Sequence, residues 1–284
     1  MSKRFLPLLL MALPVLAGPR YYAAELGQSS WQLSAANPVQ CRLEHPIPRY
    51  GKAVFEARAS RNPNLHFELD MLRLPSRQAS ARLLSVAPQW QPGAPTRELG
   101  RVTLYPHYPA ELGDDKAWTL LTELESGRLP TLTYDDWAGQ QPVAVALSSG
   151  NFRQSYFAFM DCIQGLLPIG FEDIAFSVLR YQKNSSELHP ESRRRLALIS
   201  QYLQHDDSVG QILIDAYSDS YGGRWKNEQL SIQRAQAIKD YLISTGLDEG
   251  RIRFEGHGEK RHIASNDTEA GRMQNRRVVI ALQR

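Results

Sequence analysis

The sequence predicts an α+β protein in two parts: an N-terminal, mostly antiparallel β domain with two helices, then a C-terminal βαβαββ α/β sandwich. Three observations predict it. The first half carries short stretches of period-2 alternation, such as Ala53–Arg58 and Leu65–Met71, punctuated by Pro and Gly. Near Ile169 the pattern changes to strands alternating with segments of helical period. A chain of 284 residues, 42% apolar and 22% charged, suits two globular domains and not disorder.

The elements are justified in order. Residues 1–17 read as a secretory signal peptide. Lys3 and Arg4 precede an apolar run from Phe5 to Leu16, and Val15-Leu16-Ala17 supplies the small cleavage residues. The run is far short of the ~20 residues a spanning helix needs, and Pro14 interrupts it. Gly18 and not Cys follows the cleavage site, which argues against a lipoprotein. Residues 18–168 form the β-rich domain. Beside the two stretches above, Arg82–Ala87, Arg101–Tyr105 and Val143–Leu147 read as strands. A helix starts at Asp114-Asp115 and stops at Gly127, with Trp118, Leu121 and Leu124 on one face. Gln154–Leu166 is the second helix.

Residues 169–284 form the second domain. Ile174–Tyr181 is its first strand. Pro190 opens a helix at a favoured first-turn position, with Leu196, Ile199 and Leu203 on its apolar stripe. Gly210–Tyr217 is a strand, Asn227–Thr245 a helix ended by Gly246, and Arg251–Gly256 and Arg277–Leu282 close the sheet. The helices are expected on one face.

Two cysteines, Cys41 and Cys162, in an exported chain suggest one disulfide; two buried thiols are the alternative. A bridge closing a loop of about 120 residues stabilises by at most ~4–5 kcal/mol in the chain-entropy model. The net charge of +3, spread along the chain, is too small to suggest a nucleic-acid partner, and none is expected. No Gly-x-Ser-x-Gly, phosphate loop or His-Glu-x-x-His is present, and the seven histidines, His257 and His262 included, show no ligand spacing. No enzyme, metal or cofactor is expected. The pairs Asp114-Asp115 and Asp135-Asp136 read as a helix start and a loop.

One constellation points to binding. Asp219 stands at the end of a strand and Arg234 on the helix that follows. A carboxylate and a guanidinium so placed suit a ligand end carrying both an ammonium and a carboxylate, as the diaminopimelate of uncrosslinked peptidoglycan does. Singly, each residue reads as ordinary turn or surface chemistry. The spaced set Tyr217-Ser-Asp219, Asn227, Leu230-Ser231 and Arg234-Ala235 resembles the OmpA C-terminal family of peptidoglycan-binding domains. Gly256-His-Gly-Glu, Asn266, Gly271-Arg272 and Asn275-Arg276-Arg277 continue the resemblance. It implies that Asp219 accepts hydrogen bonds from the ammonium of diaminopimelate and that Arg234 pairs bidentately with its carboxylate. It also places Asn227, Leu230 and Arg277 at the peptidoglycan site. At least one of Arg276 and Arg277 is expected in a structural ion pair, and Asn266 in a turn. Where the family has a Phe-x-Phe-type strand and an acidic residue, this chain has Val178-Leu-Arg180-Tyr181. Tyr181 then takes the aromatic position, and the part of Arg180 at the groove rim is left open.

The first half resembles the MotY-like family of periplasmic flagellar-motor proteins. The residues are Ser30-Trp31, Cys41-Arg-Leu-Glu-His-Pro-Ile-Pro48, Tyr50-Gly51, Gly127-Arg-Leu-Pro, Tyr134-Asp-Asp-Trp137 and Asp161-Cys162. The family's cysteine pair falls on Cys41 and Cys162. The resemblance implies a non-enzymatic T-ring component in the periplasm. Its N-terminal domain would associate with the flagellar basal body and stator proteins, and its C-terminal domain would anchor to peptidoglycan. A generic OmpA-like envelope tether is the alternative reading, and a wall-modifying enzyme a third. For Trp31, Tyr50 and Trp137, core packing is the expected use over interface anchoring.

Overall fold

The structure is a computed structural model that describes residues 18–62, 64–137, 141–182, 185 and 187–284. The expected signal peptide, 1–17, lies outside the described residues. In chain order the first strands are β1 (Arg20–Tyr22), β2 (Gln32–Asn37), β3 (Gln40–Ile47), β4 (Gly51–Arg58) and β5 (Leu65–Met71). There follow β6 (Ala79–Val86), β7 (Arg97–Leu104), β8 (Ala110–Leu112), α1 (Asp114–Glu125), β9 (Leu129–Asp135), β10 (Pro142–Ala146) and α2 (Phe152–Gln164). A short α3 (Phe171–Ile174) leads into β11 (Phe176–Arg180), α4 (Pro190–Leu203), β12 (Gln211–Tyr217) and α5 (Arg224–Ser244). The chain closes with β13 (Ile252–Gly256), α6 (Glu269–Asn275) and β14 (Arg277–Gln283). The α+β class and the order expected for the second part hold, with α6 added before the last strand.

The strands make three sheets, ordered β1-β10-β9-β6-β7, β2-β3-β4-β5-β8 and β11-β14-β12-β13. The first is antiparallel except where β1 runs parallel to β10. In the third, β12 runs parallel to β13 and antiparallel to β14. The chain packs as two compact units. One holds the described residues up to Trp31, with His45–Val54 and Glu68–Arg153; the other holds Gln32–Glu44, Phe55–Phe67 and Gln154–Arg284.

In the first unit, α1 buries Ala117, Leu120, Leu121 and Leu124, a stripe of helical spacing. Trp118 is only half-buried, so the face turns slightly from the expected one. Gly127 ends the helix with φ +79, a conformation that favours glycine. Trp31 is buried among His45, stacked at 4.4 Å, and Phe152, edge-on at 4.8 Å. Its indole Nε1–H donates to the Ser148 carbonyl at 2.9 Å, so it is a core residue. Asp136 lies buried just past β9 and pairs with Arg20.

In the second unit the core gathers Leu179, Leu196, Ile199, Leu203, Ile212, Ile214, Ile238, Leu242, Val278 and Ile280. Val39, Ala59 and Leu167 belong to the same cluster, which is why those earlier segments are part of this unit. Along β11 burial alternates, with Ser177 and Leu179 inside and Phe176 and Val178 exposed. The same alternation on β12 leaves one face of the sheet to α4 and α5. Pro190 stands at the first position of α4. Gly246, at φ +99, follows the end of α5. Cys41 on β3 and Cys162 on α2 form the expected disulfide, with Cα atoms 5.9 Å apart across 121 residues.

Candidate functional site

The site rests on one helix and two loops. Along α5 the buried residues are Asn227, Ser231, Arg234, Ala235, Ile238 and Leu242. They form a single stripe of helical period whose C-terminal half is apolar and whose N-terminal half is polar. Arg234 is therefore carried inward by the stripe that seats the helix. Gly256 allows the helix to approach β13 closely, because a Cβ there would lie 2.4 Å from the Ile232 nitrogen.

Arg234 is 5% exposed. Its guanidinium carbon lies 4.2 Å from the centre of the Tyr181 ring. Its Nη2 donates to the Ser185 carbonyl at 3.1 Å. Its Nε and Nη1 are buried and have no hydrogen-bond partner among the described residues. Burial pushes its pKa down, and Arg276 adds to that, while Tyr181 and Asp219 act the other way. An arginine still keeps its charge. A buried cation with two unfilled donors calls for an anionic acceptor, and a carboxylate is one.

Asp219 follows β12 and is buried. Its Oδ1 accepts from the Tyr221 backbone N–H at 3.0 Å, and its Oδ2 accepts from Arg276 Nη1 at 2.7 Å. Arg276 also donates to Glu269 at 2.7 Å. Burial opposes the charge of Arg276, but its bonds to Glu269 and Asp219 outweigh this and raise its pKa. The loop carrying Asp219 is also braced through Asn266. Asn275, wholly buried, donates to Asn266 Oδ1 at 3.0 Å, and that oxygen accepts from the Ser220 N–H at 3.2 Å.

The other residues picked from sequence lie as follows. Asn227 is buried in the first turn of α5 and donates to Glu259 at 2.9 Å. Leu230 is half-buried, one turn before Arg234. Arg277 lies 3.9 Å over the Tyr217 ring and donates to the Arg261 carbonyl at 3.1 Å. Arg180 is exposed, and its backbone N–H meets Ser192 Oγ at 2.9 Å. Arg276 forms the structural ion pair, and Asn266 is part of the brace. The sequence led to an ion pair for at least one of Arg276 and Arg277 but did not name Asp219 as the partner of Arg276.

The structure also groups side chains that spacing keeps apart. His257 stacks on Tyr217 at 4.8 Å, and its Nε2 lies 2.7 Å from Asp215 Oδ1. Glu255 approaches its Nδ1 at 3.5 Å, so one donor atom from each of the three lies within 4.8 Å of the others. No helix among the described residues is long and apolar enough to cross a membrane.

Comparison with known proteins adds to this geometry. A profile described as the MotY N-terminal domain matches residues 22–168, and one described as the OmpA family matches residues 180–276. The chain is 41% identical over 268 residues to the sodium-type flagellar protein MotY of Vibrio parahaemolyticus serotype O3:K6 (strain RIMD 2210633), covering 94% of this chain and 91% of that one. It is 32% identical over 111 residues to the outer-membrane lipoprotein YfiB of Pseudomonas aeruginosa, covering 39% of this chain and 66% of the other. Among solved structures, the C-terminal domain of Helicobacter pylori MotB aligns at 22% identity and a TM-score of 0.35, over 38% of this chain and 84% of that one. The peptidoglycan-associated lipoprotein of Burkholderia pseudomallei aligns at 24% identity and a TM-score of 0.35, over 37% and 89%.

Proposed function

The chain belongs to the MotY family, and from that premise we propose that it is a non-enzymatic, periplasmic component of the flagellar motor that anchors to the cell wall. Residues 169–284 hold the diaminopimelate end of a peptidoglycan peptide. Arg234 receives its carboxylate, and Asp219 accepts from its ammonium. Residues 18–168 associate with the basal body, form a ring with other motor proteins and help to recruit or stabilise stator units.

The observation that carries the reading is the pair of unfilled, buried donors on Arg234 near an Asp219 whose position is braced by Arg276 and Asn266. A preorganised cation and anion match a zwitterion without rearrangement. Two features support a holding role over a catalytic one. Asp219 is tied to a permanent arginine partner, which suits a hydrogen-bond acceptor better than a proton carrier. The names of relatives such as the peptidoglycan-associated lipoprotein of Pseudomonas putida, 29% identical over 104 residues, point to wall association.

The test is sedimentation with purified sacculi, joined to a motility assay. Wild-type protein is expected to co-sediment, and Asp219→Ala and Arg234→Ala each to stay largely in the supernatant. A deletion strain is expected to keep its filaments but not swim, with swimming restored by the wild-type chain only. Unchanged sedimentation of both variants refutes the pocket; normal swimming of the deletion strain refutes the motor role; muropeptide release by the purified protein refutes the non-enzymatic assignment.

A further inference from the structure

The first compact unit contains a cavity of about 360 Å³ that the wall-binding reading leaves unused. Its floor is aromatic. The Tyr22 and Tyr50 rings lie 5.2 Å apart, the Tyr50 hydroxyl meets that of Tyr134 at 3.0 Å, and Trp137 stacks on Tyr134 at 5.3 Å with its plane within 1° of parallel. Burial raises the pKa of both Tyr50 and Tyr134, so the floor stays uncharged at neutral pH.

The rim is cationic. Arg20, Arg49 and Arg73 line the cavity with one carboxylate, Asp136, which pairs with Arg20. Arg20 Nε is buried with no hydrogen-bond partner among the described residues. Arg49 and Arg73 are exposed and form no ion pair among the described residues. The backbone brings these two arginines to one mouth. Arg49 has φ +62, rare for a residue with a side chain. At Gly51, φ +148, a Cβ would lie 2.0 Å from the Asp70 carbonyl oxygen. Only glycine lets this turn press against the end of β5, where the Leu72 N–H donates to the Tyr50 carbonyl at 2.8 Å.

A neutral aromatic floor beneath unpaired guanidinium groups selects a carboxylate carried on a flat or apolar side chain or beside one. The volume is that of a small-ligand pocket. A peptide is favoured over other anions by what lies beside the cavity. β1, which supplies Arg20 and Tyr22, is the end strand of its sheet and pairs only with β10 among the described residues. Its other edge offers backbone donors and acceptors to an extended chain. Leu72, 79% exposed, adds an apolar contact at the rim.

We propose that this pocket binds an extended peptide segment of a partner protein that carries a carboxylate next to an aromatic side chain, the ring on the tyrosine floor and the carboxylate at Arg49 and Arg73. The inference does not rest on the Asp219 site, because every group it uses belongs to the first unit.

The experiment is calorimetric titration of the chain from residue 18 onward with acetyl-Val-Phe-Asp-amide, acetyl-Val-Phe-Asn-amide and inorganic phosphate. The Asp peptide is expected to bind at least tenfold more tightly than its Asn counterpart, and Arg49→Ala and Arg73→Ala each to weaken it about five- to tenfold, as loss of a recognised charge pair does. Phosphate is expected not to displace the peptide. No binding of the Asp peptide, equal binding of the two peptides, binding unaffected by the double Arg49→Ala Arg73→Ala variant, or full displacement by phosphate each overturns the proposal. Neither arginine belongs to the Asp219 site, so sedimentation with sacculi and circular dichroism serve as folding controls for the variants.

Discussion

Two arginines of similar burial teach opposite lessons. Arg128, 8% exposed, lies in the β-rich unit, and Arg234, 5% exposed, lies on α5. Arg128 Nη2 donates to the carbonyls of Ser85 and Pro95, each at 2.8 Å, and its Nε donates to Ser85 Oγ. Glu123 lies 3.3 Å away and also takes Arg97 at 2.8 Å. This network is closed, and its role is to hold strands and helix together. Arg234 makes one bond to backbone, stacks on Tyr181 and leaves two donors unfilled. Burial alone does not single out a candidate for binding; two buried, unfilled donors on one guanidinium do.

The contrast can be broken by substitution. The largest effect is expected from Arg128→Met, which removes the donor to the Ser85 and Pro95 carbonyls and leaves the buried Glu123 with only Ser85 and the exposed Arg97. Such breaks cost about 3 kcal/mol or more, read as a lower denaturant midpoint, while the folded variant still sediments with sacculi. Loss of sacculus binding by this variant would erase the distinction. Asp219→Asn comes next and should show both faces at once. Weakening the charged bond to Arg276 costs about 2 kcal/mol of stability, and wall binding falls with it. Arg234→Met should do the reverse of Arg128→Met. Sacculus affinity drops at least tenfold, about 1.4 kcal/mol, yet stability changes by less than about 1 kcal/mol, because an apolar side chain packs well where an unpaired charge was buried. A stability loss as large as that of Arg128→Met would make Arg234 structural.

Smaller effects sharpen the picture. Tyr181→Leu removes the ring beneath the guanidinium and should weaken wall binding by about 1 kcal/mol. The least effect is one of pH. Burial pushes the Tyr181 phenol up to about 12 from 10.0, with Arg234 partly opposing. Its folded pKa is raised, so its contribution is complete below pH 10 and is lost as pH rises through 12. Stability curves of the wild type and Tyr181→Phe should therefore run parallel below pH 10 and diverge between 10 and 12; parallel curves throughout would remove the burial argument.

Most of the second part was legible because its elements obey local rules. Pro190 at a first helical turn, Gly246 after a last one, and stripes such as Leu196, Ile199 and Leu203 mark their helices without help. Much of what was missed was short or locally contradictory, although β2 and β3, of six and eight residues, were missed too. β1 and β8 have three residues each, too few for a period. β9 carries Pro130, a residue that speaks against a central strand, yet it lies between β10 and β6. α6 has seven residues with Gly271 among them, and its Thr268 cap carries the signal that hydrophobic pattern does not. The candidate site was legible at Asp219 and Arg234, which stand on either side of one strand-to-helix loop. Arg276 was not, because two adjacent arginines at a strand start look alike until the chain chooses their directions. The grouping of His257 with Asp215 and Glu255 follows the parallel register of β12 and β13, which places Asp215 opposite Glu255.

By itself, then, the sequence determined the fold class, the four longer helices, the cysteine pair and the two opposite charges flanking one loop. All of these depend on residues close in sequence, on period or on composition. Only the tertiary structure decided which buried arginine keeps two donors unfilled, which one braces Asp219, and that three arginines meet over an aromatic floor. Those outcomes depend on which groups from distant segments come within about 3 Å, the distance over which a hydrogen bond is made or missed.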